Sequence, residues 1–449
     1  MIRLEKLDLL TEKAILKIID NHRLTEGARL EKLHDYYMAK NEILQRVTVD
    51  PVKPNNKIAN PYASYITDTL VGYFMGEPVT YNCNDKDLLE ELNMILEYND
   101  EADENTELAK EASIYGVAYE LLYFADQELR FKHLDPRECI PIYDTSLENN
   151  LIAFIRYYNE VDIENDKTTM MVEVLDNKSL RQYRAGQTGD SLELVNEYPH
   201  YFGMVPIATY ANNEEQIGDF EQVITLIDAY DKMQSDSLND FEYFCDAYLA
   251  LYGFSADDND VAEMKRNRVL LMDEGTSAEW LVKNENDAVT ENQKIRLDAD
   301  IHKFAKCPNM ADKEFASNAS GIAIKFKLLG TENKISIKER KFKKGLQQRL
   351  ELLAQIQGLL TDSFDWRAID INFTRNIPTN DADLAAMVKD LSDIVSEETL
   401  LAQLPFVDNV ADELQRLDAE REKAKERNPF LSSALTYPTN DQHEEVPNE

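Results

Sequence analysis

The residues able to do chemistry are spread thinly along this 449-residue chain. Four cysteines, Cys83, Cys139, Cys245 and Cys307, lie far apart with no CxxC pair. Neither a disulfide framework nor a zinc site is expected from them, and a reducing compartment suits them. The histidines, His22, His34, His133, His200, His302 and His443, are equally scattered. The sequence has no GxxxxGK(S/T) phosphate loop, since Gly330-Thr-Glu-Asn-Lys334 lacks the second glycine and its spacing. It also has no GxGxxG after a strand, no HExxH and no GxSxG. His443-Glu444-Glu445 falls in an expected disordered tail, where a metal site would lack a rigid scaffold. No cofactor and no P-loop ATPase are therefore expected.

Two charge clusters remain. Residues 85–107 carry Asp85, Asp87, Glu90, Glu91, Glu97, Asp100, Glu101, Asp103, Glu104 and Glu107 against Lys86 alone. Convergent carboxylates of this kind can hold divalent cations for phosphodiester cleavage. The run lacks the EF-hand glycine and regular oxygen spacing, so a solvated helix face is expected instead. Residues 320–349 invert the sign, with Lys325, Lys327, Lys334, Lys338, Arg340, Lys341, Lys343, Lys344 and Arg349 against Glu332 and Glu339.

The whole chain is acidic, with Lys+Arg 48 against Asp+Glu 85 and a net charge of -37. That excludes gripping nucleic acid by broad phosphate neutralisation, though not weak or sliding contact. Docking on an anionic membrane is disfavoured for the same reason. A hydrophobic fraction of 43% permits a sizeable core. No apolar run approaches the roughly 18 residues of a membrane-spanning helix. The start, Met1-Ile-Arg-Leu-Glu-Lys6, lacks the apolar core of a signal peptide. A soluble, cytoplasm-made protein is the expectation.

The elements that must position these residues change in kind along the chain. Leu4 to about Val49 is amphipathic and helical, and a second apolar block runs from Asn60 to Tyr81. There Pro61 suits a first helical turn, and Gly72 and Gly76 leave a small-residue edge for close packing. From Ala118 to about Tyr210 the period becomes two, predicting an antiparallel meander with a hairpin across Tyr119–Phe124 and Leu129–His133. Asp219 to Tyr252 has neither Gly nor Pro and predicts one helix of about 50 Å, with Asp219 and Gln222 as a capping box. A polar, β-like insert follows from Gly253 to about Asp287, and then a shorter helix at Glu291–Lys306. After a loop rich in small residues, a long helix is predicted over Ile322–Leu360, bending near Gly330-Thr331. A strand at Ile369–Thr374 and helices to Val395, from Ser396 and over 412–427 precede a disordered tail at 428–449. The fold class is α+β.

Several phrases in this order carry a resemblance. They are Asn60-Pro-Tyr-Ala63 with Gly72-Tyr-Phe-Met-Gly-Glu-Pro-Val-Thr-Tyr81, and Ala109-Lys-Glu-Ala-Ser-Ile-Tyr-Gly-Val-Ala-Tyr-Glu120. Asp219-Phe-Glu-Gln-Val-Ile-Thr-Leu-Ile-Asp-Ala-Tyr230, Ser320-Gly-Ile-Ala-Ile-Lys-Phe-Lys327 and Leu404-Pro-Phe-Val407 complete them. Together, over roughly residues 30–420, they resemble the portal proteins, or head-tail connectors, of long-tailed bacteriophages of Gram-positive hosts. None of the phrases is catalytic, and the resemblance implies no enzyme.

The resemblance implies a homo-dodecameric ring at one capsid vertex of the virion. Double-stranded DNA would pass through its axis during packaging by the large terminase and again at ejection. Further partners would be a head-completion adaptor, scaffold and the major capsid protein, with no membrane. Carried onto this sequence, residues 1–217 become a wing, 218–252 a stem helix, 253–290 a clip and 291–307 a second stem helix. Residues 308–320 become a tunnel loop, 321–378 a long helix and wing return, and 379–427 a crown. The tunnel loop would present Asn309, Met310, Ala311, Asp312, Lys313, Glu314, Phe315, Ser317 and Asn318 to DNA. Phe315 would either plug the channel or pack the loop base. Lys325 and Lys327 are possible DNA contacts, and Arg266, Arg268 and Trp280 possible clip contacts, Trp280 being either core or a partner anchor. Lys338–Lys344 would be a solvated face, an intersubunit partner or a DNA contact. The alternatives are a head-associated structural protein without a channel and a metal-dependent phosphodiesterase built on the acidic run.

Overall fold

A computed structural model describes residues 2–48, 53–125, 128–186, 189–245, 248–252, 257, 259–260, 264, 266, 275, 277–281, 287–310, 321–360, 365–376, 387–392, 394–401, 404, 407 and 410–427. The chain divides into two units, residues 1–376 and 377–449. In the first, helices α1 (Glu12–Leu24), α2 (Glu26–Tyr37), α3 (Tyr62–Met75), α4 (Lys86–Tyr98) and α5 (Glu101–Tyr115) precede most of the sheet. Helices α6 (Ile224–Cys245), α7 (Asp287–Ala305) and α8 (Gly321–Leu360) follow it.

Alternating apolar residues build two sheets. A six-stranded sheet has the order β1 (Ile2–Arg3), β5 (Cys139–Tyr143), β6 (Leu151–Asp162), β7 (Lys167–Leu175), β8 (Ser179–Ala185) and β9 (Leu192–Pro199). All neighbours are antiparallel except β1 and β5. Ile140, Ile142, Ile155, Val172 and Val174 on one face pack on Ile15 and Ile19 of α1. A three-stranded sheet places β3 (Val117–Ala125) between β10 (Ile207–Ala211) and β4 (Glu128–Leu134). The expected meander and hairpin are therefore present, although Asp126-Gln127 at the hairpin tip lie outside the described residues.

The largest core gathers around α8. Ile335, Phe342, Leu346, Leu350, Leu353 and Ile356 recur at three-, four- and seven-residue steps and are all buried. Phe342 meets Phe74 of α3 edge-on at 5.6 Å and Tyr210 of β10 at 4.7 Å between ring centroids. Gly345 is required here, because a Cβ would lie 2.4 Å from a Tyr210 ring carbon. Side chains of this size stabilise by roughly 1.5–3 kcal/mol each on burial. A short pair, β2 (Thr80–Asn82) with β13 (Asp370–Asn372), ties the chain after α8 back to the start of α4.

Of the helix expectations, two need correction. The amphipathic N-terminal stretch is helical as expected, in two segments, α1 and α2, that part where Thr25 adopts a non-helical φ −118, ψ −89. The stretch Asp219–Tyr252 is not one helix. A short helical turn at Glu221–Val223 leads into α6, and Tyr248–Tyr252 is strand β11, paired with β12 (Ser277–Leu281). The alternation Tyr248-Leu-Ala-Leu-Tyr252 fits a ladder as well as a helix, and the partner strand decides. Helix α8 is continuous through Gly330-Thr331, as the long helix expected there requires. Gly72 faces open space, so close packing belongs to Gly76, where an added Cβ would strike Asn376.

The second unit contributes α9 (Glu397–Leu401) and α10 (Val410–Arg427) among its described residues. Ser396 Oγ accepts from Thr399 N at 3.4 Å, the expected helix start. Arg421 of α10 is ion-paired with Glu397 of α9. The expected tail at 428–449 lies outside the described residues.

Candidate functional site

The site is the junction where α7 ends, the segment 311–320 begins, and α8 returns past it. Helix α7 stops at Ala305 because Lys306 takes the left-handed φ of 56°. Its last carbonyls are met by side chains of α8. Lys334 Nζ donates to Ala305 O at 2.8 Å, and Thr331 Oγ1 donates to Lys306 O at 2.9 Å. A lysine ammonium at a helix C-terminus is also favoured by the helix dipole.

The departing chain is held from α3. Tyr65 Oη accepts from Met310 N at 2.9 Å and donates to Pro308 O at 3.2 Å. Asn309 Nδ2 donates to Asp298 Oδ2 at 3.1 Å, and Tyr62 Oη donates to Asp298 Oδ1 at 2.7 Å. The His302 ring lies edge-on to both tyrosines, 6.1 Å from Tyr62 and 5.4 Å from Tyr65. Residues 308–310 thus leave α7 along a defined path.

Beneath this junction Asp219 ties α8 to the start of α6. Its side chain is almost wholly buried and receives Lys338 Nζ at 2.6 Å and Lys334 Nζ at 3.1 Å. Ser113 Oγ donates at 2.5 Å and Asn212 Nδ2 at 3.0 Å, so the carboxylate is fully satisfied. Burial alone would raise the Asp219 carboxyl, but the two lysines hold it well below the usual carboxylate range. Burial pushes the Lys338 ammonium down, against the pull of Asp219. The expected capping box is corrected accordingly: Asp219 points into the core, and Glu221 accepts from Gly218 N at 3.0 Å.

Further along α8, Arg349 is a second buried hub. It gives Glu120 two hydrogen bonds, from Nε at 2.8 Å and Nη2 at 2.7 Å, and reaches Glu101 Oε1 at 3.0 Å. Nη2 also donates to Asn105 Oδ1 at 2.8 Å, and the guanidinium lies 4.4 Å from the Phe131 ring centroid. Tyr210 and Tyr81 hydroxyls donate to Glu120 and Glu101 at 2.8 and 2.6 Å.

These contacts overturn the uniform solvated face expected for residues 85–107. Glu101 and Glu104 are buried. Burial raises the Glu104 carboxyl, but His133 and Lys132 outweigh it and bring it to about 2. Asp87, Glu90 and Glu97 do face solvent. Among the described residues no three of His, Cys, Asp and Glu converge as a metal-holding group. The basic stretch is likewise tied up in large part within the chain: Lys341 pairs with the exposed Glu214, and Lys343 donates to Ile371 O at 3.1 Å.

Of the sequence-selected residues, Asn309 and Met310 stand at the junction. Ala311, Asp312, Lys313, Glu314, Phe315, Ser317 and Asn318 lie outside the described residues, as does Arg268. Lys327 is exposed on α8, whereas the side chain of Lys325 is outside the description. Arg266 is exposed in the insert, away from the junction in sequence, and Trp280 stands opposite Leu249 in the β11–β12 ladder. Tyr65, Asp298, His302 and Asp219 were missed as site residues. Asp219 alone carried a signal, as an acid wedged between Gly218 and Phe220 in an apolar phrase.

The arrangement builds a rigid frame around residues 308–310. Among the described residues, no helix is long and apolar enough to cross a membrane. The chain matches the model of the family "Phage portal protein, SPP1 Gp6-like" over residues 16–427. It is 27% identical to the portal protein of Clostridium phage phiCD119 over 421 residues, covering 86% of this chain and 91% of that relative. It is 24% identical to the portal protein of Bacillus phage SPP1 over 445 residues, 90% of this chain and 86% of that one. The sequence order of helices, sheet and long helix, and the match along nearly all of it, agree: this chain belongs to the SPP1 Gp6-like family of phage portal proteins.

Proposed function

We propose that copies of this chain close into a ring at one capsid vertex and that double-stranded DNA crosses its axis during packaging and ejection. The chain is a structural virion component of the portal type and not an enzyme. In this reading α6 and α7 are the stem, the insert between them is the clip, and the wing is residues 1–217. Residues 308–320 are the tunnel loop, and 379–427 the crown. A twelve-fold ring, with terminase, a head-completion adaptor, scaffold and the major capsid protein as partners, belongs to the same proposal.

The observation that carries it is the family match across residues 16–427. The junction supports it physically. A segment that must stand beside moving DNA needs a fixed base, and Tyr65, Asp298, Thr331 and Lys334 hold residues 305–310 from three helices. The charge supports it as well. The net charge is -37, and five of the nine basic residues between 320 and 349 are tied within the chain, so α8 offers few cations to grip phosphate. Phosphate affinity climbs steeply with the number of contacts, so a sparsely basic wall lets DNA slide.

Negative-stain imaging and mass measurement of the full chain test the proposal. A closed ring with an axial opening is expected. A chain that stays monomeric at micromolar concentration in packaging buffer, with and without scaffold, would favour a head protein without a channel.

A further inference from the structure

Helix α8 presents an outward stripe that is exposed among the described residues. Phe326, Leu329, Asn333, Ile337, Arg340 and Lys344 recur at steps of three and four residues, which places them on one helix face, and all are exposed. Phe326 is 73%, Leu329 53% and Ile337 50% exposed. The opposite face holds Ile335, Lys338, Phe342 and Arg349 in the core. Arg340 and Lys344 make no ion pair among the described residues, unlike Lys334, Lys338 and Lys341 on the same helix.

An apolar half followed by a basic half is not the composition of a phosphate-binding face, whose contacts come from cations and polar groups. Exposed aliphatic and aromatic residues beside charges mark a protein partner. With 85 acidic residues against 48 basic ones, a second copy of this chain offers the complementary charge. One described helix carries the matching stripe. Asp87, Glu90, Met94 and Glu97 of α4 recur at the same steps and are all exposed, Met94 at 61%. None of the three carboxylates is held in an ion pair among the described residues. Asp87 and Met94 are seven residues apart, as are Lys344 and Ile337, or about 10 Å along each helix, with Glu90 and Arg340 between them.

We infer that the outward stripe of α8 seats antiparallel on α4 of a neighbouring copy, with Ile337 facing Met94, Arg340 facing Glu90 and Lys344 facing Asp87. The two stripes are different surfaces, so the contact is heterologous and repeats from copy to copy until it closes. This inference rests on the ring reading above and adds to it which faces meet.

Charge reversal tests it on the full chain. R340E/K344E and, separately, D87K/E90K are each expected to lower the ring fraction about tenfold in native mass measurement, while the combined variant R340E/K344E/D87K/E90K restores it to within about twofold of wild type. Each variant's melting temperature, taken as the free chain, controls for folding. Rings undiminished in R340E/K344E overturn the inference. So does a combined variant that fails to recover when both double variants fail. Rings that form normally in R340E/K344E but hold less DNA would make the stripe a DNA contact instead. A wild-type chain that never closes would sink the ring reading and this seam together, whereas wild-type rings that persist in the variants sink the seam alone.

Discussion

Lys338 and Asp219 stand 119 positions apart and meet at 2.6 Å with both side chains shut off from solvent. The pair joins the middle of α8 to the entry of α6, and Lys334 on the preceding turn shares the same carboxylate. Removing Asp219 would strand Lys338 in the core, and removing Lys338 leaves the buried Asp219 Oδ2 to Ser113 alone, with Lys334 on the other oxygen. Lys338→Ala is expected to destabilise the chain by about 3–5 kcal/mol, whereas the paired change D219N/K338M loses less. Urea unfolding midpoints of the two variants decide it, and equal losses would reject the coupling.

Asp219 also predicts an acid limb. Its folded carboxyl is depressed below the unfolded value, so its contribution is present above the ordinary carboxylate range of about 4 and lost as pH falls through the depressed folded value. Unfolding free energy measured downward from pH 5 should fall less steeply in D219N than in wild type.

Glu111 of α5 works in the opposite direction. It is only partly shielded as a residue, yet its Oε2 is sealed without a hydrogen-bond partner. Burial, then the negative charges of Asp135 and Glu107, push its carboxyl up to about 9. A raised acid is most stabilising below its unfolded value, and that stability is lost as pH rises towards about 9. Glu111→Gln should flatten the decline of the denaturant midpoint between acid and alkaline pH. A variant with the wild-type slope would contradict a protonated Glu111.

Arg349 cannot be replaced conservatively. Its fork reaches Glu120, Glu101 and Asn105 together, and a lysine offers one point charge to three acceptors. Arg349→Lys is expected to lose at least about 2 kcal/mol, and Arg349→Met about 3–5 kcal/mol. Thermal unfolding of both measures the order.

Tyr65→Phe keeps the ring but removes the hydroxyl that holds Pro308 and Met310. A loss of about 1 kcal/mol is expected, with ring assembly intact. Hydrogen exchange of the Met310 amide should quicken, and unchanged protection would show that the amide is held elsewhere.

Lys313→Ala probes the proposed tunnel loop. Packaged DNA length or retention should change while assembly does not, because one lysine per subunit is repeated around the ring and phosphate affinity is steep in contact number. Wild-type packaging in the variant would reject a direct role for this lysine.

Much of the architecture was legible because it is local. Period-two alternation over Ile152–Tyr158 and Met170–Leu175 gives β6 and β7 at once, and the apolar stripe of α8 announces its buried face. The break at Thr25 and the strand at Tyr248–Tyr252 were not legible, since each local pattern also suits a helix. Tyr65 and Asp298 were hidden for another reason. Their function is to receive backbone and amide groups 11 to 245 positions away, and no spacing records that.

By itself the sequence determined the class of molecule: an acidic α+β chain without catalytic motifs, with phrases in portal order. The tertiary structure decided which charges are available. Nine basic residues between 320 and 349 look alike in sequence, yet Lys338 and Arg349 are core and Arg340 and Lys344 are surface. The difference is physical. A cation can be buried only where carboxylates from distant segments converge on it, and that convergence exists only once Asp219, Glu101 and Glu120 have been brought to α8 by the fold.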